Sequence, residues 1–215
     1  MELTPDLLLR AYAHGAFPMA EGRDRDHIHW VDPKQRGILP LDSFHLPRRL
    51  ARTVRQGHIA VRCDTDFGAV IAACAAPGPD RPDSWINAEI VGLYTQLFEL
   101  GYVHTVECWR DDTLVGGLYG VAMAGAFFGE SMFSRERDAS KIALAHLVLR
   151  LRLGGFRLLD TQFITEHLSQ FGVIEIPRAR YRNLLRDALA VSANFYCEVS
   201  VEELLAFTQS STHKS

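Results

Sequence analysis

The sequence predicts an α+β fold, on three observations. Residues 102–109 and 113–123 are apolar, strand-forming runs joined by Arg110-Asp111-Asp112, the composition of a hairpin turn. A third run, 126–130, follows the turn Ala124-Gly125. An amphipathic helix over about 139–153, stopped by Gly154-Gly155, then leads to an apolar strand over 156–162. Antiparallel strands followed by one strand–helix–strand unit suit an α+β chain better than a doubly wound sheet.

The remaining elements follow in order. Thr4 caps a first helix with Pro5 in its first turn, Leu7, Leu8, Ala11 and Tyr12 as its apolar stripe and Gly15 as its end. Residues 15–19 read as a loop, and 29–31 and 37–39 as short strands around Asp32-Pro33-Lys34. A second helix begins at His45-Leu46-Pro47 and reaches Gln56-Gly57. A short strand covers 58–63, and Asp64 or Thr65 caps a helix through Ala76. Pro77-Gly78-Pro79-Asp80-Arg81-Pro82 is a stiff loop, a boundary or a lid. Asn87 caps a helix closed by Gly101, Thr165 a short helix ended by Gly172, and Pro177 opens an arginine-rich helix. The Ser/Thr-rich tail after Thr208 is expected to lack structure.

Composition narrows the classes. The 215 residues make one large domain, or a small one joined to a medium one, and 47% hydrophobic content builds a sizeable core. No run of eighteen apolar residues predicts a membrane span, and the acidic Met-Glu-Leu-Thr-Pro-Asp start does not resemble a secretion signal, so a cytoplasmic protein is expected. Cys63, Cys74, Cys108 and Cys197 form no C-x-x-C pair, and the nine histidines form no H-E-x-x-H, so no metal is expected. A net charge of −3 excludes bulk polyanion attraction, but Lys34, Lys141 and Lys214 are the only lysines. The positive charge is therefore almost all arginine, the forked cation suited to phosphate. On the second helix Arg48, Arg52 and Arg55 recur at i, i+4 and i+7, equally a solvated face or a phosphate-tracking stripe.

Two polar clusters at strand ends carry the chemistry: Gly129-Glu130-Ser131-Met132-Phe133-Ser134 and Asp160-Thr161-Gln162. Asp160 and Gln162, at i and i+2, are expected on one face of their strand, with the aspartate anchoring the glutamine amide; taken alone, Asp160 reads first as a strand-end cap of the following turn. Glu130 is suited to receive a proton or a cationic group, unless it simply pairs with Arg135 or Arg137. Gly129 is expected to admit close approach of a backbone or ligand. Met and Phe around these groups predict a pocket with greasy walls and a polar floor. The segment 134–141, at a helix N-terminus, is placed for an anion but contains no glycine, which argues against a pyrophosphate-binding turn for coenzyme A.

At these residues the chain resembles the leucyl/phenylalanyl-tRNA–protein transferase family over almost its whole length. The matching stretches include Tyr12-Ala13-His14-Gly15-Ala16-Phe17-Pro18, Trp30-Val31-Asp32-Pro33, Ser84-Trp85-Ile86 and Leu114-Val115-Gly116-Gly117-Leu118-Tyr119-Gly120. Phe128-Gly129-Glu130-Ser131-Met132-Phe133-Ser134, Ala139-Ser140-Lys141, Asp160-Thr161-Gln162 and Glu175-Ile176-Pro177-Arg178 complete the series.

The resemblance implies a small N-terminal α/β domain, placed at residues 1–60, on a GNAT-like acyltransferase domain at 61–215. It implies transfer of Leu or Phe, and less so Met, from aminoacyl-tRNA to an N-terminal Lys or Arg of a protein, marking it for N-end-rule degradation, with no metal or cofactor. Asp160, Gln162 and Glu130 match the family's reacting centre. Phe127, Met132, Leu144 and Leu147 would hold the transferred side chain, Trp85 would border the terminal adenosine, and Ser134 would join the substrate contacts. Arg48, Arg52 and Arg55 would bind tRNA. A carboxamide is no base at neutral pH, so Gln162 is expected to orient the amine. A tRNA-dependent ligase of the peptidoglycan-bridge type and a non-catalytic tRNA-binding module remain the alternatives.

Overall fold

The structure is a computed structural model and describes residues 3–24, 27–44, 46–78 and 83–210. β1 (Phe17–Ala20) and β2 (Ile28–Val31) form a separate antiparallel ribbon. The main sheet runs, edge to edge, β4 (Ala60–Arg62), β5 (Val103–Arg110), β6 (Thr113–Met123), β7 (Ala126–Ser134), β8 (Leu158–Gln162), β3 (Gln35–Ile38) and β9 (Ile174–Pro177). All its pairs are antiparallel except β7 with β8, which α5 (Ala139–Leu153) connects. A parallel neighbour demands such a crossover, whereas β5, β6 and β7 need only tight turns.

Each face of the sheet is covered. α1 (Pro5–Ala13), α3 (Phe67–Ala75), α4 (Ala88–Glu99) and α7 (Arg178–Leu189) bury one core, with Phe128 and Leu158 from the sheet. α2 (Arg48–Gln56), α5 and α8 (Val201–Ser210) enclose the other, with Phe127 and Leu159. Successive residues thus feed opposite cores, the alternation that pleating imposes on a strand buried on both sides. The mixed sheet with packed helices is α+β, as the sequence predicts.

Several elements differ from expectation. The expected loop at 15–19 contains β1, whose Pro18 sits opposite Trp30 in a two-stranded ribbon, where its missing N–H is tolerated. β2 and β3 are not a hairpin: Asp32-Pro33-Lys34 hands the chain from the ribbon to the main sheet. The expected division at residue 60 therefore falls after a strand already inside the main sheet. Asp66, not Asp64 or Thr65, caps α3 by accepting from the Ala69 amide. Asp64 instead accepts from the Thr105 amide at 2.6 Å and contacts His104. β7 runs four residues past its expected end at Glu130, and Pro177 closes β9 before α7 starts at Arg178. The tail is still helical at Ser210; His45, residues 79–82 and residues 211–215 lie outside the described residues.

β6 and β7 slip register between Tyr119 and Gly120, and glycine is required there. A Cβ on Gly120 would stand 2.3 Å from the Phe128 carbonyl oxygen and 2.4 Å from the Phe127 ring. Gly120→Ala is expected to destabilise the protein by about 1–3 kcal/mol or more, as overpacking against backbone does. The midpoint of urea unfolding against the parent chain measures it.

Candidate active site

The parallel pair creates the site by ending early. Phe128 and Asp160 are the last paired residues of β7 and β8. β7 continues to Ser134 against β6, while β8 stops at Gln162, whose φ is +57°. Between the parted strands lies a cavity of about 740 Å³. Met132, Phe133, Leu144, Leu147, Leu159 and Leu168 supply apolar wall, Trp85, Phe17 and Met19 line it from the N-terminal half, and Glu130 and Gln162 give it a polar centre.

Asp160 does not line this cavity. It is 0% exposed, and Arg36 on β3 grips it with Nε at 2.9 and 3.1 Å and Nη2 at 2.6 Å. The Tyr181 hydroxyl of α7 donates to Asp160 Oδ2 at 2.6 Å, and the Gln162 backbone N–H donates to Oδ1 at 2.8 Å. Arg36 Nη1 donates to the Gly15 carbonyl at 2.8 Å, and the guanidinium lies 4.6 Å from the centroids of both Phe17 and Tyr181. Burial opposes the Arg36 charge, but its bonds to Asp160 prevail and raise its pKa. Burial and the Asp160 charge push the Tyr181 hydroxyl far above its ordinary range.

Two expectations change here. Asp160 holds the backbone of Gln162, not its side-chain amide. The two side chains also do not share one face: the left-handed turn at Gln162, costing about 1–2 kcal/mol for a residue with a Cβ, swings its side chain into the cavity that Leu159 and Thr161 face. The Asp160 bond to the Gln162 amide holds that strained backbone in place.

Glu130 sits at the polar centre, half-buried. It accepts from Tyr12 of α1 at 2.7 Å, Tyr94 of α4 at 3.0 Å and Gln162 Nε2 at 3.3 Å, and the two tyrosine hydroxyl oxygens stand against each other, so the carboxyl and the two hydroxyls share the two phenol hydrogens. It does not pair with Arg135, whose guanidinium donates to the Leu114 carbonyl and covers Phe133. Burial pushes the Glu130 carboxyl up to about 7; the tyrosine hydrogen bonds and Arg36 act against that, and the Asp160 charge adds to it. A carboxyl near 7 exchanges protons readily at neutral pH.

The other expected residues divide. Trp85, Met132, Leu144, Leu147 and Ser134 line the cavity. Phe127 does not: it is fully buried, packed against Phe156 and Phe195. A Cβ on Gly129 would meet the Asp160 carbonyl oxygen at an ordinary 3.5 Å, so close approach does not demand glycine there. Ser134 Oγ donates to the Glu136 carbonyl at 2.7 Å and accepts from the Ser140 amide in the first turn of α5. Arg48, Arg52 and Arg55 are exposed on α2, without an ion-pair partner among the described residues. Their helix meets the start of α5 through Arg49 and Asp138, 3.5 Å apart, beside cavity-lining Ser140.

Arg36, Tyr12, Tyr94 and Tyr181 were not singled out from the sequence. One signal was available: an arginine between Gln35 and Gly37-Ile38-Leu39, and tyrosines inside apolar helical stripes, carry polar atoms that burial obliges to find partners.

Glu130 makes stability pH-dependent in a defined direction. Its pKa of about 7 lies above the ordinary 4.5, so the native state binds its proton more tightly than the unfolded chain. That contribution is complete below about 4.5 and is lost as pH rises through about 7. Glu130→Gln should flatten this part of the profile, checked by urea unfolding at several pH values in that window. Arg36→Met leaves the Asp160 charge buried without its partner and is expected to cost about 3–5 kcal/mol, read from the same unfolding curves at neutral pH.

Residues 38–186 match the family described as leucyl/phenylalanyl-tRNA protein transferase, and residues 1–34 match its N-terminal domain. A leucyl/phenylalanyl-tRNA–protein transferase of Paramagnetospirillum magneticum is 63% identical over 193 residues, 90% of this chain and 92% of that one. One from Nitrobacter winogradskyi is 61% identical over 194 residues, 90% and 86% of the two chains. One from Afipia carboxidovorans is 52% identical over 216 residues, 98% and 95%. Among solved structures, a functionally unknown conserved protein from Staphylococcus epidermidis covers 82% of this chain and 66% of its own at 11% identity and a TM-score of 0.40, too loose a likeness to carry an argument. The sequence matches, spanning nearly the whole chain, place this protein in the leucyl/phenylalanyl-tRNA–protein transferase family.

Proposed function

We propose that this protein is an aminoacyltransferase that moves Leu or Phe, and less readily Met, from aminoacyl-tRNA to the N-terminal Lys or Arg of acceptor proteins. The product would be marked for N-end-rule degradation, and the reaction would run in the cytoplasm, where charged tRNA is found. One observation carries the reading: a cavity with apolar walls whose polar centre is a carboxyl near neutrality hydrogen-bonded to a carboxamide. Apolar wall suits a Leu or Phe side chain, and the polar pair suits an amine attacking an ester.

The chemistry follows from these groups. The acceptor α-amine, with an ordinary pKa of about 7.7–8.0, must lose a proton to attack. Glu130, matched to that range, takes the proton or holds the adjacent cation. Gln162 uses its NH₂ on Glu130 and offers its carbonyl oxygen to the amine. The amine nitrogen bonds the ester carbon, the ester C–O bond breaks, and the proton that the nitrogen sheds reaches the leaving ribose oxygen by relay through its neighbouring hydroxyl or water. Asp160, buried behind Gln162, acts as a positioning residue, and much of the rate comes from alignment.

In this reading Met132, Leu144 and Leu147 enclose the transferred side chain, Trp85 borders the terminal adenosine, and Ser134 contacts substrate at the start of α5. Arg48, Arg52 and Arg55 track tRNA phosphates away from the cavity. We read residues 61–215 as a GNAT-like acyltransferase unit, on the parting of its parallel pair, and 1–60 as a smaller N-terminal domain interlocked with it through β3.

Transfer from leucyl-, phenylalanyl- and methionyl-tRNA to a Lys-started peptide is the decisive assay; bound tRNA with an intact ester would refute the reading. Gln162→Ala should slow single-turnover transfer at saturating substrate by about 10²-fold, as misplacement of a reacting group does; near-normal transfer would remove its orienting role. Replacing Arg48, Arg52 and Arg55 together should weaken tRNA binding and flatten its salt dependence by about 0.7–0.9 for each phosphate no longer neutralised, measured by binding titrations across a salt series.

A further inference from the structure

The ribbon β1–β2 carries a grouping that the transfer reaction does not use. Its register pairs Phe17 with Val31, Pro18 with Trp30, Met19 with His29 and Ala20 with Ile28. Continuing that register outward sets Glu21 opposite His27, and the Glu21 amide donates to the His27 carbonyl at 3.3 Å. Cross-strand partners share a face, and so do residues two apart. Glu21, His27 and His29 therefore project together, on the face that also bears Phe17 and Met19. Phe17 and Met19, further along that face, line the cavity.

Their ligand atoms all lie within 4.8 Å of one another, and all three residues are exposed. Two imidazoles and one carboxylate are a donor set that borderline divalent ions such as zinc favour. Around one zinc, with bonds of about 2.0–2.2 Å, neighbouring ligand atoms stand on the order of 3–3.5 Å apart. Exposed side chains reach that spacing by rotating, with the backbone unmoved. The ribbon is itself anchored: the Ala20 amide donates to the Trp85 carbonyl at 3.3 Å, and the Arg23 amide to Asp83 Oδ1 at 3.0 Å. His27-Ile28-His29 places two ligands on one strand face, and strand pairing, which the sequence does not announce, brings Glu21 to them.

We propose that Glu21, His27 and His29 form a three-ligand binding site for a divalent transition-metal ion, zinc in the first instance, at the open end of the ribbon, on the face that carries Phe17 and Met19. An ion there would pin the open end of the ribbon and with it the wall formed by Phe17 and Met19. Solvent completes its coordination, as three protein ligands leave a position open.

The test is calorimetric titration of zinc chloride alone into the full-length, untagged, chelator-stripped protein, beside thermal unfolding with and without zinc. One zinc per chain is expected, with a raised Tm. His29→Ala should weaken binding by at least about tenfold, since a ligand contributes more than the hydrogen bonds that support it. His27→Ala/His29→Ala should abolish both the binding and the Tm shift, and Glu21→Gln should weaken binding. The substituted side chains are exposed, so the fold is retained, which circular dichroism verifies. If the parent protein takes up no zinc, the proposal fails. It fails equally if the double variant binds zinc as the parent does, which would assign the metal to other groups such as the Cys63 and Cys197 thiols.

Discussion

The buried pair of Arg36 and Asp160 is the constraint on which the rest of the site depends. Removing two charges from water costs several kcal/mol per ion, and only near-complete hydrogen bonding offsets it. Here that condition is met from four directions: β3 supplies the guanidinium, β8 the carboxylate, α7 the Tyr181 hydroxyl, and the turn after α1 the Gly15 carbonyl. Aromatic rings of Phe17 and Tyr181 lie against the guanidinium. The N-terminal segment is therefore joined to the main sheet by a charge that has no cheaper place to go. One remaining acceptor site on Asp160 holds the Gln162 amide, so the same pair sets the backbone at the cavity floor.

Glu130 owes its pKa chiefly to burial, not to that pair. Asp160 raises its pKa and Arg36 lowers it, so the buried pair as a whole exerts opposed influences. What remains is burial, opposed by the hydroxyls of Tyr12 and Tyr94, and burial prevails. Those hydroxyls are themselves pushed well above their ordinary range, burial first and the Glu130 charge second, so they remain donors at any physiological pH. A carboxyl poised near neutrality thus arises from an apolar setting with fixed dipoles, without a cation at its side.

The sequence made the strand-end clusters legible because polar residues at the ends of apolar runs need a reason. Glu130 and Gln162 emerged that way, whereas Leu144 and Leu147, which also line the cavity, came from the family resemblance. Most of the sheet was legible for the same cause: turns at Asp111 and Ala124 punctuate strong apolar runs. Partners that converge from distant positions were not. Arg36 and Asp160 lie 124 residues apart, and Tyr12 and Glu130 lie 118 apart. Periodicity marks tyrosines as buried but does not say which atom awaits their hydroxyls. Phe127 shows the limit from the other side: it shares a face with the cavity-lining Leu159 yet sits deeper, under Phe156 and Phe195, and depth has no periodic signal. β9 and β1 were too short, at four residues each, for alternation to stand out.

The choice of a carboxamide at position 162 follows from the same electrostatics. Its NH₂ stands 3.3 Å from Glu130 Oε1, where a carboxylate would face a second carboxylate. Two such groups cannot both ionise at that distance, and one pKa would rise strongly. Glu130, already displaced to about 7, would then be pushed further up and stay protonated at neutral pH. A hydroxyl at 162 would be too short to reach Glu130 from the backbone that Asp160 holds. An amide donates to Glu130, keeps its carbonyl oxygen as an acceptor and adds no charge beside that carboxyl. The pairing of Gln162 with Asp160, two residues apart in the chain, is thus a division of labour: the buried charge fixes the backbone, and the neutral side chain faces the cavity.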